Sequence, residues 1–160
     1  MSEDLIQKIA DTLEIQRVKS LYCVTADSVT HDSVRARNIL LSLFTPDVRG
    51  DYGAAICEGR GALVDYLVSV ISEMEEWLLH GLQTPLIEID GDKASGQWVI
   101  MVQNKQKHLS GKEMLVGRYI DEFVRTAEGW KISAVRFAEE GIYPQIDVTS
   151  PINPEPAIFR

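Results

Sequence analysis

Residues Trp77 to Val102 read WLLHGLQTPLIEIDGDKASGQWVIMV, and the fold of the whole chain turns on this stretch. Two runs rich in branched and aromatic residues flank Asp90-Gly91-Asp92-Lys93. A glycine-containing tetrapeptide between such runs is a hairpin signal, so the stretch reads as two long antiparallel strands. The first strand carries His80, and period-2 alternation puts its ring on the same face as Leu78 and Leu82. A titratable ring on an apolar wall is the first candidate for chemistry. Set against that, a lone strand histidine is more often a hydrogen-bonded structural residue.

Upstream of the hairpin the periodicity is helical. After Ser2-Glu3-Asp4, residues Leu5, Ile9, Leu13, Val18 and Leu21 fall mostly on one stripe, which predicts a helix, whole or broken near Glu14. Its second part, ending at Asp27, turns Ile15, Val18, Leu21, Tyr22 and Thr25 inward, and Tyr22 and Ala26, at i and i+4, look into the same space. Val34 to Phe44 and Ala62 to Met74 read as two further amphipathic helices. Between them, Val48 to Ile56 is a short strand or extended piece containing Asp51-Tyr52-Gly53. Downstream, Asn104 to Lys112 reads as a polar loop, Met114 to Arg125 as a strand, and Trp130 to Phe137 as the last strand. Helices first and strands after predict an α+β domain over residues 1–138, with three helices on one face of a curved, mostly antiparallel sheet. The tail from Glu139 to Arg160 holds four of the six prolines and reads as an extended segment on the body or on a neighbouring subunit.

Composition narrows the function. The chain has 160 residues, 45% apolar and 25% charged, which is ordinary for one globular domain and excludes disordered and fibrous classes. A formal net charge of −8 argues against a nucleic-acid footprint and against anionic membrane surfaces. The expected ligand is neutral or small. Cys23 and Cys57 lack metal spacing and read as reduced core residues, with a disulfide between them left open. No targeting segment or bilayer-length apolar run stands out, so the expected compartment is the cytosol.

Taken in order, Asp27 at a helix end, Leu43-Phe44-Thr45-Pro46-Asp47, Gly59-Arg60-Gly61, His80 entering the hairpin, and GRYIDEFVRTAEGWKI at 117–132 resemble the SnoaL-like branch of the nuclear-transport-factor-two-like superfamily. The resemblance spans roughly Glu14 to Phe137, and its pattern is most similar to the scytalone dehydratase-like enzymes. It implies a cone-shaped, cystatin-like α+β barrel enclosing an apolar cavity. It also implies a site made of Asp27, Tyr52 and His80, with Tyr22 and Arg118 touching substrate. The chain departs from that family at Ala26, where a tyrosine is usual, and has no second site histidine that can be placed. A few extra residues after Asp27 make Asp32 a rival for the aspartate. Bile-acid dehydratases and lindane dehydrochlorinases, which resemble this pattern too, pair a comparable aspartate with the histidine.

Such residues support one chemistry. An aspartate accepting the Nδ1 proton fixes the histidine tautomer and leaves Nε2 free as a general base. Tyr52 and Tyr22 would stabilise the enolate formed when His80 removes an α-proton, and protonated His80 would return a proton to a β-leaving group. The expectation is a lyase of the dehydratase kind that needs neither metal nor organic cofactor. Two alternatives stay open: isomerisation or polyketide cyclisation on the same fold, and a non-catalytic binding or assembly module such as a dioxygenase small subunit. Alternating apolar residues on the sheet's outer face, among them Trp98, Ile100 and Val124, suggest a homodimer or homotrimer.

Overall fold

The Ser2 hydroxyl accepts the Leu5 amide and starts the first helix, α1, Glu3–Ser28, in a computed structural model that describes residues 2–145. The helix is unbroken. Its buried stripe runs through Asp11, Ile15, Val18, Lys19, Tyr22, Cys23 and Ala26, a helical spacing that includes two charged residues. The apolar stripe expected at its start faces outward instead, with Leu5, Ile9 and Leu13 exposed. Asp32 then caps α2, Ser33–Leu43, by accepting the Arg35 amide at 2.9 Å. The remaining elements are β1, Phe44–Asp51; β2, Ile56–Glu58; α3, Arg60–Met74; β3, Glu75–Asp90; β4, Lys93–Gln106; β5, Lys112–Thr126; and β6, Gly129–Gln145.

The six strands among the described residues form one sheet in the order β2-β1-β6-β5-β4-β3. Every neighbouring pair is antiparallel except β1 and β6, which run parallel, so the sheet is mixed. With β2 and β3 as edges it does not close, and the expected barrel is an open curved sheet. The α1 helix lies across its concave side against β3 and β6, and α3 packs on β1. The core between them includes Ile15, Leu40, Val48, Leu63, Ile100 and Ile132. The tight turn after β3 needs a left-handed backbone at Gly91, φ 58°, which glycine adopts without a Cβ clash.

Two bulges interrupt strand β3. Glu75 pairs with Gln106 and Trp77 with Lys105, which leaves Glu76 as an extra residue; a second slip lies between Gln83 and Leu86. Each bulge reverses which parity of residue points inward. Between them the even residues Leu78, His80 and Leu82 face the core side, whereas beyond Thr84 the odd residues Ile87 and Ile89 do. On β4 the even residues face inward throughout, so Trp98 and Ile100 are buried at 2% and 0% exposure. Neither belongs to an outer contact face as expected. The outward apolar residues on β3 are Leu79 and Leu86.

Strand β6 continues well past Phe137, so Glu139 to Gln145 pair with β5 rather than forming a separate tail. The remainder of the expected tail lies outside the described residues. Among the described residues no helix is long and apolar enough to cross a membrane.

Candidate active site

The last turn of α1 brings Asp27 to the backbone of β3. Its two carboxylate oxygens each accept the His80 amide at 3.2 Å, and Oδ1 lies 2.5 Å from the His80 Nδ1. The backbone contact fixes where the strand passes and the ring contact fixes which way the imidazole turns. A carboxylate only accepts, so Nδ1 carries a proton, and in that tautomer Nε2 is the open lone pair. Both side chains are largely buried, at 7% exposure for His80 and 11% for Asp27. Asp32 is spent on capping α2, which leaves the partnership to Asp27.

His80 looks into a cavity of about 180 Å³. Its walls are mainly apolar, including Leu67, Ile71, Leu78, Val102, Leu115 and Phe137. Four tyrosines share the lining, Tyr22 from α1, Tyr52 after β1, Tyr66 from α3 and Tyr119 from β5, together with Ala26 from α1. The Tyr22 and Tyr52 hydroxyls stand 2.7 Å apart. Tyr22 also interacts with the Tyr119 hydroxyl, so the three phenols form a hydrogen-bonding cluster in the cavity wall that can donate to a bound oxygen. Burial pushes the hydroxyls of Tyr22, Tyr52 and Tyr119 well above the ordinary tyrosine range, so they remain donors at neutral pH.

Beneath the phenols lies a charge pair. Lys19 and Asp121 are fully buried, with Nζ 2.7 Å from Oδ2, so each charge has the other as its counter-charge. The ammonium sits 3.4 Å from the Tyr119 ring centroid and 4.4 Å from that of Tyr22, within cation–π range of both. Burial raises the Asp121 carboxyl to about 6, against the lowering effect of Lys19.

The structure therefore brings together four of the five site residues read from the sequence: Asp27, His80, Tyr22 and Tyr52. Arg118 is apart from them. It is on the outer face of β5, half exposed, and pairs with Glu140 at 2.7 Å. Alternation along β5 explains this, since buried Tyr119 and Asp121 are its inward neighbours. Sequence reasoning missed Glu75, Asn104, Tyr66 and Tyr119 in the cavity wall, as well as the Lys19–Asp121 pair. Of these, Tyr119 and Asp121 carried a signal, as alternate residues in a strand of clear parity. Cys23 and Cys57 are both free, and burial pushes the Cys23 thiol up to about 12, well away from a nucleophilic role.

A family model for the SnoaL-like domain matches residues 7–136, most of the chain. The chain belongs to the SnoaL-like family. An uncharacterised protein of Mycobacterium tuberculosis is 28% identical over 131 residues, covering 79% of this chain and 84% of that one. Among solved structures, a hexachlorocyclohexane dehydrochlorinase from Novosphingobium barchaimii superposes with a TM-score of 0.80 at 18% identity, over 91% of this chain and 99% of that one. A scytalone dehydratase-like protein from Novosphingobium aromaticivorans gives 0.76 at 18% identity, over 91% and 95%. At such identities these likenesses show the fold.

Proposed function

We propose that this protein is a lyase that eliminates a leaving group β to a carbonyl in a small hydrophobic compound. One observation carries the reading: the Asp27–His80 pair, at 2.5 Å, presents a bare imidazole nitrogen to an apolar cavity that also holds a phenol pair. In this reading His80 Nε2 takes the α-proton, and the Tyr22–Tyr52 pair donates to the oxygen on which negative charge accumulates. The surrounding hydrocarbon excludes water, which strengthens both interactions. The fold neighbours lend support, since their names include a dehydrochlorinase and a dehydratase-like protein. Self-association as a dimer or trimer is part of the same reading, supported by the exposed Leu79 and Leu86 on β3, and sedimentation velocity measures it.

The test is a panel of small aryl and alicyclic ketones bearing β-hydroxyl or β-halide groups. The panel is incubated in D₂O with wild type and with His80→Ala, and followed by NMR for α-deuteration and alkene formation. Exchange or elimination that depends on His80 is expected. If no compound reacts faster than with the alanine variant, the reading fails.

A further inference from the structure

Glu75 is the first residue of β3, and in a regular strand an odd-numbered residue there would face away from His80. The bulge at Glu76 turns it round. Glu75 pairs with Gln106, whose even parity on β4 is the inward one, and so Glu75 lines the same cavity as His80. Bulges of this kind re-aim side chains next to sites of chemistry. The carboxyl is also held. The Asn104 side-chain amide donates to both of its oxygens, at 3.2 and 3.3 Å, and Asn104 is itself 92% buried, its residue exposure being 8%. The Asn104 Oδ1 is buried with no partner. An unpaired acceptor there would gain a bond if the carboxyl carried a proton and the amide turned over.

The electrostatic surroundings favour the same protonated form. Burial pushes the Glu75 carboxyl up from the ordinary carboxylate range, Asn104 draws it down, Glu113 facing it from β5 pushes it up, and His80 on its own strand draws it down, with an upward net result that favours the protonated acid. On its other side Glu75 borders a polar recess of about 300 Å³ with His31 from the α1–α2 loop, Ser72 from α3, Glu76, and Lys107 after β4. A carboxyl between an apolar cavity and a polar recess can meet a bound molecule on one side and exchange protons with solvent on the other.

We infer that Glu75 is the second proton-transfer group of the cavity, supplying the proton that the departing group takes. The inference rests on the elimination reading and specifies it. The α-carbon C–H bond breaks toward His80 Nε2, its electron pair becomes the new C=C bond, and the β-carbon–oxygen bond breaks with its pair on the oxygen. That oxygen takes the Glu75 proton and leaves as water. Glu75 is then recharged from the recess while His80 releases the proton it removed. The preferred substrate class is accordingly β-hydroxy carbonyl compounds, whose leaving group needs a proton, over β-halo ones, whose leaving group does not.

The experiment has two arms. In protein labelled with ¹³C at glutamate carboxyls, with Glu75→Gln for assignment, Glu75 is expected to inflect above the exposed Glu76 and Glu88 and to respond as His80 changes charge. Inflection together with Glu76, or no response to His80, overturns the inference. The second arm compares a phenyl-bearing β-hydroxy ketone with its β-chloro counterpart, using wild type, Glu75→Gln and His80→Ala. Glu75→Gln should lose about 10²-fold on the hydroxy compound and under about threefold on the chloro compound. Equal losses on both overturn the role of Glu75 alone. A wild type no faster than His80→Ala on either compound overturns the elimination reading, and the leaving-group role falls with it.

Discussion

Helix α1 offers a carboxylate toward each of its ends, and the two have different fates. Asp11 accepts from Arg125 through both of its terminal nitrogens, at 2.6 and 2.7 Å, from the Trp130 indole at 3.0 Å and from the Gln7 amide at 3.0 Å. Asp27 accepts from the backbone and ring of one histidine. The first is saturated, and its chief partner never releases a proton, so it locks the helix to β5 and β6. The second has a partner with one nitrogen to spare, and that nitrogen meets a cavity. The contrast shows that a buried carboxylate becomes a chemical group through what its partner leaves open, rather than through burial itself.

The strongest test of the contrast is to remove each partner. His80→Ala should cut turnover on any accepted substrate by about 10²–10⁴-fold, with little change in the thermal midpoint. Long-range ¹H–¹⁵N spectra are expected to show the Nδ1–H tautomer for His80 in the wild type, and Asp27→Asn should abolish it.

The Lys19–Asp121 pair probes the intermediate case, buried like the first and near the cavity like the second. Asp121→Asn leaves an ammonium without a counter-charge and should destabilise by about 3–5 kcal/mol in denaturant unfolding. The double variant Lys19→Met/Asp121→Leu should recover most of that loss.

Asp11→Asn should cost about 1.5–3 kcal/mol, the value of charge-assisted hydrogen bonds, and leave the His80 tautomer untouched. Its pH dependence has a definite sign. Hydrogen bonds from Arg125 hold the Asp11 carboxyl well below the usual range, so its contribution is whole above about pH 4 and fades as pH falls toward the native value. The wild type's advantage over Asp11→Asn should shrink through that acidic window. Smallest of all, Arg118→Ala should stay within about 0.5 kcal/mol and leave turnover unchanged, since its pair with Glu140 is exposed.

Local signals carried much of this into the sequence. The Asp90-Gly91-Asp92-Lys93 turn fixed the hairpin, and alternation from there gave the inward face of His80 correctly. Alternation also misled where bulges intervene, and Glu75 is hidden for that reason, since nothing in Glu75-Glu76-Trp77 marks the extra residue. Asp11 and Lys19 were unreadable because their partners, Arg125 and Asp121, arrive from strands over a hundred residues later. Without those partners a charged residue on a helix reads as solvated. The outward parity of Arg118 was readable from its neighbour Tyr119, but the family pattern weighed against it.

The parallel pairing of β1 with β6 joins the first and last strands among the described residues. During synthesis β1 leaves the ribosome with only the three residues of β2 beside it, and its other edge waits for nearly the whole remaining domain. Contacts of such sequence separation form late and slowly. Until then α1 has no completed sheet to lie against, and Tyr22, Tyr52 and their neighbours have no cavity to line. Apolar faces of the nascent chain thus stay uncovered until β6 emerges, and the site comes into being only with the closing of the fold.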